Sequence, residues 1–202
     1  INGPIFALLA LDSGGYDVPQ NEQAQVQAQR QMYVEKILEA QVPGGGCCLS
    51  GKEPAEPDLT GMALQALAKY QQQEEVEEAV EKGLGVLSAL QEEDGGYCSF
   101  ERSNSESVVQ VIVALCELGI PFDDSRFVKA GNTLLDNLMS YYTPGGGFSH
   151  TSSGDGSNQM ATEQGLYGMV AADRAAKGKS SLYSMKDPFQ MDSDTVITVG
   201  LP

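Results

Sequence analysis

An all-α fold of stacked helical hairpins is predicted by three observations on the sequence. Glycine clusters recur at a near-constant distance: VPGGGCCLSG over 42–51, EDGGYCSF over 93–100 and TPGGGFSH over 143–150, with final glycines Gly46, Gly96 and Gly147 spaced 50 and 51 residues apart. An amphipathic helical pattern precedes each cluster, and an apolar helical pattern comes after each. A period of that length is the mark of a repeat architecture, in which each unit buries a face on its neighbours. Stacked hairpins then give either an open solenoid or a closed α/α toroid.

GPIFALLALDSGG reads as an inner helix over 4–11, with Pro4 near its start and Gly14 past its end. The outer helices are YVEKILEAQ (33–41), VEKGLGVLSALQ (80–91) and FVKAGNTLLDNLMSYY (127–142). In the second, Val80, Leu84, Leu87 and Leu90 stand three and four residues apart, as one face of a helix requires. The inner helices are DLTGMALQALAKY (58–70), ESVVQVIVALCELG (106–119) and EQGLYGMVAADR (163–174), and their lack of a wide polar face predicts burial on most sides. One domain over 1–175 therefore holds seven helices, with hairpins at about 22–70, 76–118 and 126–174. Residues 176–202 read as an irregular tail or a linker to a following domain, ending in a short β-branched run.

Composition bounds the function. The formal charge of −16 argues against nucleic acid or an anionic membrane as partner and suits cations or cationic ligands. No run of eighteen apolar residues predicts membrane insertion. Ile1 in place of Met, without a basic stretch ahead of the apolar one, reads as part of a longer or processed protein. Four cysteines, Cys47, Cys48, Cys98 and Cys116, are too few and too irregular for a disulfide framework.

The unit of apolar helix, Gln, acid-Gly-Gly-aromatic and acid-led apolar helix resembles the repeats of the prenyltransferase and squalene-cyclase superfamily over about residues 1–175. The nearest copy of that family's Gln-x-x-x-Gly-x-Trp motif is Gln91-Glu-Glu-Asp94-Gly95-Gly96-Tyr97, with tyrosine in the tryptophan place. NGPIFALLALDSGGYDVP, EPDLTGMALQALAKY, SESVVQVIVALCELGI and NQMATEQGLYGMVAADR look like the prenyltransferase-like domains of Gram-positive bacterial surface proteins. That resemblance implies a partial α/α toroid, an extracellular or cell-wall location, and neighbouring domains in the same polypeptide.

The family's chemistry carries over only in part. In the zinc loop of protein prenyltransferases, Asp94 matches, but Cys98 lies beyond Tyr97, two places past the expected cysteine. The acid motif of squalene cyclases has one partial counterpart, Asp192-Ser193-Asp194, in the tail. The thioester sequence of complement-like proteins is broken by Ala161. Cys48 and Cys98, each two residues past a final glycine, and His150, three past its own, form a candidate zinc set if the loops meet at one mouth. The competing reading makes the cysteines small hydrophobes packed within loops.

Asp58, Glu106 and Glu163 open the three inner helices. First-turn carboxylates answer the helix macrodipole, and the same three would form a ring around a cation or amine-bearing ligand. Gln65 and Gln110, inside apolar helices, must find partners between repeats or face a cavity. With Asp94, Tyr97 and Phe148 these residues complete the expected lining of a cavity or mouth.

The function expected is a non-catalytic module binding a small ligand or a neighbouring domain, with no cofactor beyond the zinc candidate. The alternatives are a zinc-dependent prenyltransferase or terpene-cyclase-like enzyme, and a cobalamin- or glycan-binding module.

Overall fold

The computed structural model describes residues 1–153 and 156–184. The Asp192–Asp194 motif and the β-branched run lie outside the described residues. The fold is all-α, and its only strands among the described residues are four of two residues each.

Helix α1 (Asn2–Ser13) buries Ile5 and Leu8 completely. Helix α2 (Arg30–Glu39) buries Val34 and Ile37. It starts three residues before the helix expected over 33–41 and ends two residues short of it, while 16–29, which include the start of the hairpin expected from about residue 22, form turns and extended chain. Asp12, near the end of α1, ties both helices to Lys69 and Tyr70. Its Oδ1 accepts from Arg30 Nε at 2.7 Å, its Oδ2 accepts from the Tyr70 hydroxyl at 2.7 Å, and its backbone carbonyl accepts from Lys69 Nζ at 2.8 Å.

Helix α3 (Pro57–Leu67), with Pro57 in its first turn, buries all its residues except Asp58 and Met62 and runs into a 3₁₀ turn over Ala68–Tyr70. After a three-residue turn, helix α4 (Glu74–Leu90) returns antiparallel. Its buried stripe of Val76, Ala79, Val80, Gly83, Leu84 and Leu87 keeps the helical period, while Glu74, Glu75 and Glu77 crowd the first turn where the macrodipole favours acids.

Helix α5 (Ser105–Leu118) lies at the centre, buried without a break from Ser105 to Leu115 apart from Gln110. Asn104 caps its start by accepting from Ser107 N, and Gly119 closes its end in the left-handed conformation. Helix α6 (Leu134–Ser140) is far shorter than the helix expected over 127–142. A 3₁₀ turn ends at Phe127, Ala130 and Gly131 take positive φ in a tight bend between Lys129 and Asn132, and only then does a Thr133–Asp136 capping box start the helix. Helix α7 (Gln159–Ala176), capped by Asn158, extends the expected segment at both ends.

Helices α1, α3, α5 and α7 form one row, with α5 packed on both α3 and α7, and α1 on α3. The hairpins expected at 22–70, 76–118 and 126–174 join each outer helix to the inner helix after it. In the structure α2 packs chiefly on α1, α4 on α3 and α6 on α5, each with the inner helix before it. The reason is clearest for α3 and α4, whose short connection leaves antiparallel neighbours no other course. The glycine clusters sit in the longer loops that lead to the next inner helix.

In the second of these loops Gln91 is buried, and its Nε2 donates to Gly95 O at 2.9 Å and to Phe127 O at 3.0 Å. Gly95 has φ +85°, and a Cβ there would meet Thr133 O at 2.6 Å, so the turn needs glycine twice over. Tyr97 is completely buried, and its hydroxyl donates to Leu87 O at 2.9 Å. Strands β1 (Cys98–Ser99) and β2 (Arg102–Ser103) pair beyond it. In the third loop β3 (Tyr142–Thr143) pairs with β4 (Gly147–Phe148), and the Tyr142 and Phe148 rings meet edge-on at 5.6 Å.

Candidate functional site

The starts of α3, α5 and α7, with the two loops that carry Ser99 to Arg102 and His150, line a half-open cavity of about 320 Å³. The helices contribute equivalent positions. Asp58, Glu106 and Met160 are each the second residue of their helix, and Met62, Gln110 and Gln164 stand one turn further on. Asn104 and Asn158 set this register by capping. The expected ring of three acids is therefore two acids and a methionine. Glu163 lies deeper along α7, accepting from Gln159 Nε2 at 2.8 Å, and faces a different cavity. The signal that locates it correctly is the capping asparagine, which places Met160 rather than Glu163 opposite Asp58 and Glu106.

Glu106 is only 8% exposed. His150 Nδ1 stands 2.8 Å from its Oε2, and Ser105 Oγ lies 3.1 Å from the same atom. The loop holding His150 is itself pinned to α5: Ser105 N donates to His150 O at 3.1 Å and Ser105 Oγ to Ser149 O at 2.9 Å. Three oxygens of this site, Glu106 Oε1, Asp58 Oδ1 and Ser99 Oγ, are buried without a hydrogen-bond partner among the described residues. Buried polar atoms are almost always satisfied in a folded protein, so three orphans around one cavity are an unusual concentration.

Burial pushes the Asp58 carboxyl above the usual carboxylate range, and the nearby charges of Glu56 and Glu106 add to the rise. The hydroxyls of Ser107 and Ser99 act in the opposite direction, close enough to favour the carboxylate without completing a bond to Oδ1. A carboxyl raised in the fold costs stability once pH climbs above its unfolded value of about 4, and the loss is complete above the folded value. Asp58→Asn is therefore expected to raise Tm at pH 7 by about 2–4 °C, the response of a domain of this size to about 1 kcal/mol. At pH 3, where both states of Asp58 are protonated, the advantage disappears. Thermal melts of both proteins from pH 3 to 7 check this, and an advantage that shrinks with rising pH would contradict it.

A second cavity, about 630 Å³, is lined by residues of all four inner helices, α1, α3, α5 and α7, and by Tyr183. A chain of amides divides it from the first. Gln65 Nε2 donates to Gln110 O at 2.8 Å and Gln110 Oε1 at 3.0 Å, and Gln110 Nε2 donates to Gln164 Oε1 at 3.0 Å. Gln65 and Gln110 thus do both things expected of them, bonding between helices and facing a cavity. The hydroxyls of Tyr167, at 3.1 Å, and Tyr183 both stand within hydrogen-bond reach of Gln65 Oε1 and of each other, so their two hydrogens are shared among three contacts. Tyr183 belongs to the segment read from the sequence as irregular tail. With no periodicity around it, nothing in the sequence points to its place against α3 and α7.

The other expected residues serve the loops. Asp94 Oδ1 accepts from Gly96 N at 2.9 Å, Tyr97 plugs the core, and Phe148 is buried against Tyr142. Cys48 is buried with its Sγ turned into its own loop, 2.7 Å from Lys52 O, while Cys98 pairs with Ser103 across β1 and β2 and His150 engages Glu106. Burial, with Glu92 and Glu101 nearby, pushes the Cys98 thiol up. Among the described residues no group of three or more His, Cys, Asp or Glu side chains is placed to hold a metal ion. All four cysteines are free, and burial pushes Cys47 and Cys116 up to about 12. Among the described residues no helix is long and apolar enough to cross a membrane.

No protein-family model matches this chain, and no curated protein matches it.

Proposed function

We propose that the chain is a non-catalytic ligand-binding module of a secreted or cell-surface bacterial protein, built as a partial α/α toroid of the prenyltransferase and squalene-cyclase type. The 50-residue glycine repeats and the row of α1, α3, α5 and α7 flanked by α2, α4 and α6 support the toroid. The stretches that resemble bacterial surface proteins support the location. The ligand enters the cavity at the starts of α3, α5 and α7. One observation carries that reading: the equivalent starts of α3, α5 and α7 bring Asp58, Glu106, Gln110, Gln164 and the loop residue His150 together around one cavity.

The second reading, a terpene-cyclase-like acid, draws on the raised carboxyl of Asp58. The cavity wall favours the binding reading, since it presents amides, a serine and Arg102, with Phe100 as the one apolar aromatic ring among its described lining residues.

His150 is the single histidine of the chain and a wall of the cavity, so its imidazole resonance reports occupancy without assignment work. A mixed library of small amines, acids, alcohols and sugars, screened at millimolar concentration by NMR, is expected to contain compounds that shift this resonance saturably. A library that leaves it untouched throughout rejects the cavity as a ligand site.

A further inference from the structure

We propose that the second cavity, independently of the one at the helix starts, takes a neutral molecule that presents a carbonyl oxygen on an apolar body. The direction of its amide chain points there. Gln65 Nε2 lies 2.8 Å from the backbone carbonyl of Gln110, an atom that only accepts, so the Gln65 nitrogen faces α5 and its oxygen faces the two phenols. The same nitrogen meets Gln110 Oε1 at 3.0 Å, which turns the Gln110 nitrogen toward Gln164 Oε1, also at 3.0 Å. One fixed acceptor thus orients all three amides, and the hydrogen bonds run one way, from the phenols through Gln65 and Gln110 to Gln164. Every amide oxygen in the chain has a partner. An amide nitrogen carries two hydrogens, and no described residue accepts from Gln164 Nε2, the last donor. Bonds aligned in one direction polarise each other, which strengthens the donor at the end.

The walls set the rest of the ligand. Phe6, Leu9 and Ala10 of α1 and the rings of Tyr167 and Tyr183 give the cavity an apolar lining, and Phe6 is left 55% exposed. The volume of about 630 Å³ falls in the middle of the range of small-molecule sites. The described lining residues include Glu163 but no lysine, arginine or histidine, so an anion meets no counter-charge. A cation gains little from Glu163, which is exposed and already accepts from Gln159, and the free donor of Gln164 opposes it. A ligand hydroxyl finds its acceptors taken: Gln65 Oε1 already meets two phenols, and the oxygens of Gln110 and Gln164 each hold an amide N–H. A carbonyl oxygen is the complement of this floor, an acceptor with two lone pairs and no hydrogen.

The test titrates the full chain with N,N-diethylbenzamide, a neutral tertiary amide without an N–H, and reads the ring resonances of Tyr167 and Tyr183 by NMR. These are expected to shift saturably, while the His150 imidazole, on the wall of the other cavity, stays in place. Diethylbenzylammonium and benzoate keep the aromatic body and change the charge, and each is expected to bind about tenfold or more weakly. Gln164→Glu keeps the oxygen that Gln110 donates to and exchanges the free donor for an acceptor, so it should weaken the benzamide about tenfold, the loss of one hydrogen bond. Gln164→Met, which removes the donor without adding charge, should weaken it by a similar factor. Equal binding of either charged analogue overturns the inference, as does benzamide binding that both variants leave unchanged. A response at His150 alone overturns it and leaves the cavity at the helix starts standing. Silence at both tyrosines overturns it as well.

Discussion

Gln91→Ala is expected to lower the stability of the fold by about 2–4 kcal/mol, while Gln41→Ala, at the same place in the preceding repeat, changes it by less than about 0.5 kcal/mol. The two glutamines are indistinguishable in the sequence, each five residues before the last glycine of its cluster. In the structure Gln91 is 7% exposed and its amide nitrogen donates to both Gly95 O and Phe127 O. Truncation leaves two buried carbonyls unsatisfied and opens a void where the amide stood. Each orphaned acceptor costs about 1–3 kcal/mol. Because Phe127 belongs to the turn ahead of α6 and Gly95 to the loop after α4, the lost bonds also tie one repeat to the next. Gln41 contributes a backbone bridge to Cys47, which alanine retains. Urea denaturation of both variants, read as a change in midpoint at constant slope, decides the matter. A Gln91→Ala loss below about 1 kcal/mol would mean that the repeated motif does not hold the repeats together.

The inner helices were legible because their signal is local and continuous. Ser105 to Leu115 is a near-unbroken buried run, and no arrangement except burial on most sides accommodates it. The outer helices carried less. α6 fails over 127–133 although its apolar spacing continues, because Ala130 and Gly131 adopt positive φ and the Thr133 capping box wins the helix start. Backbone turns of this kind compete with periodicity and leave little trace in it. The site was half legible. Asp58, Glu106, Gln110 and His150 do meet at one cavity, as acids and a loop histidine at repeated positions suggest. Glu163 does not join them, since opening the helix at Glu163 ignores the cap at Asn158, and register is what decides which face a helical residue joins. Ser99 and Tyr183 were invisible for a different reason. A serine or a tyrosine in an irregular stretch acquires its role only from residues dozens of positions away, and pattern reading has no access to those. The pairing of outer with inner helices had the same difficulty: the period fixes the unit but leaves open which neighbour a helix packs against.

Gly61→Val is expected to destabilise the protein by about 2–4 kcal/mol and to weaken ligand capture in the cavity at the same time. Intrinsic helix propensity alone argues the other way, since glycine inside a helix is the worse choice than alanine by about 1 kcal/mol. At Gly85, exposed on α4 with nothing within 4 Å of a built Cβ, propensity governs, and Gly85→Ala should stabilise by about 0.5–1 kcal/mol. Gly61 is different. A Cβ there would stand 2.9 Å from Gln110 O and 3.0 Å from its carbonyl carbon, both backbone atoms of α5 that no rotamer change can move. The helices must part to admit even alanine, and the two further methyls of valine force them wider. Overpacking of this kind costs about 1–3 kcal/mol before any bond is lost. Bonds are lost as well, for Gln65 lies one turn beyond Gly61 on the same face, and its 2.8 Å and 3.0 Å bonds to Gln110 exist only because the backbones approach so closely. In the other direction along α3 stands Asp58, which faces Glu106 across the same seam. Separating α3 from α5 therefore draws the two carboxylates apart. Denaturation midpoints for Gly61→Val and Gly85→Ala give the two signs, and the same ligand screen, read at the His150 resonance of the Gly61→Val protein under conditions where it remains folded, gives the coupling. If Gly61→Val matched the wild type in stability, the close approach of α3 and α5 would not be a feature of the folded protein, and the amide chain beside the cavity would lose its physical basis.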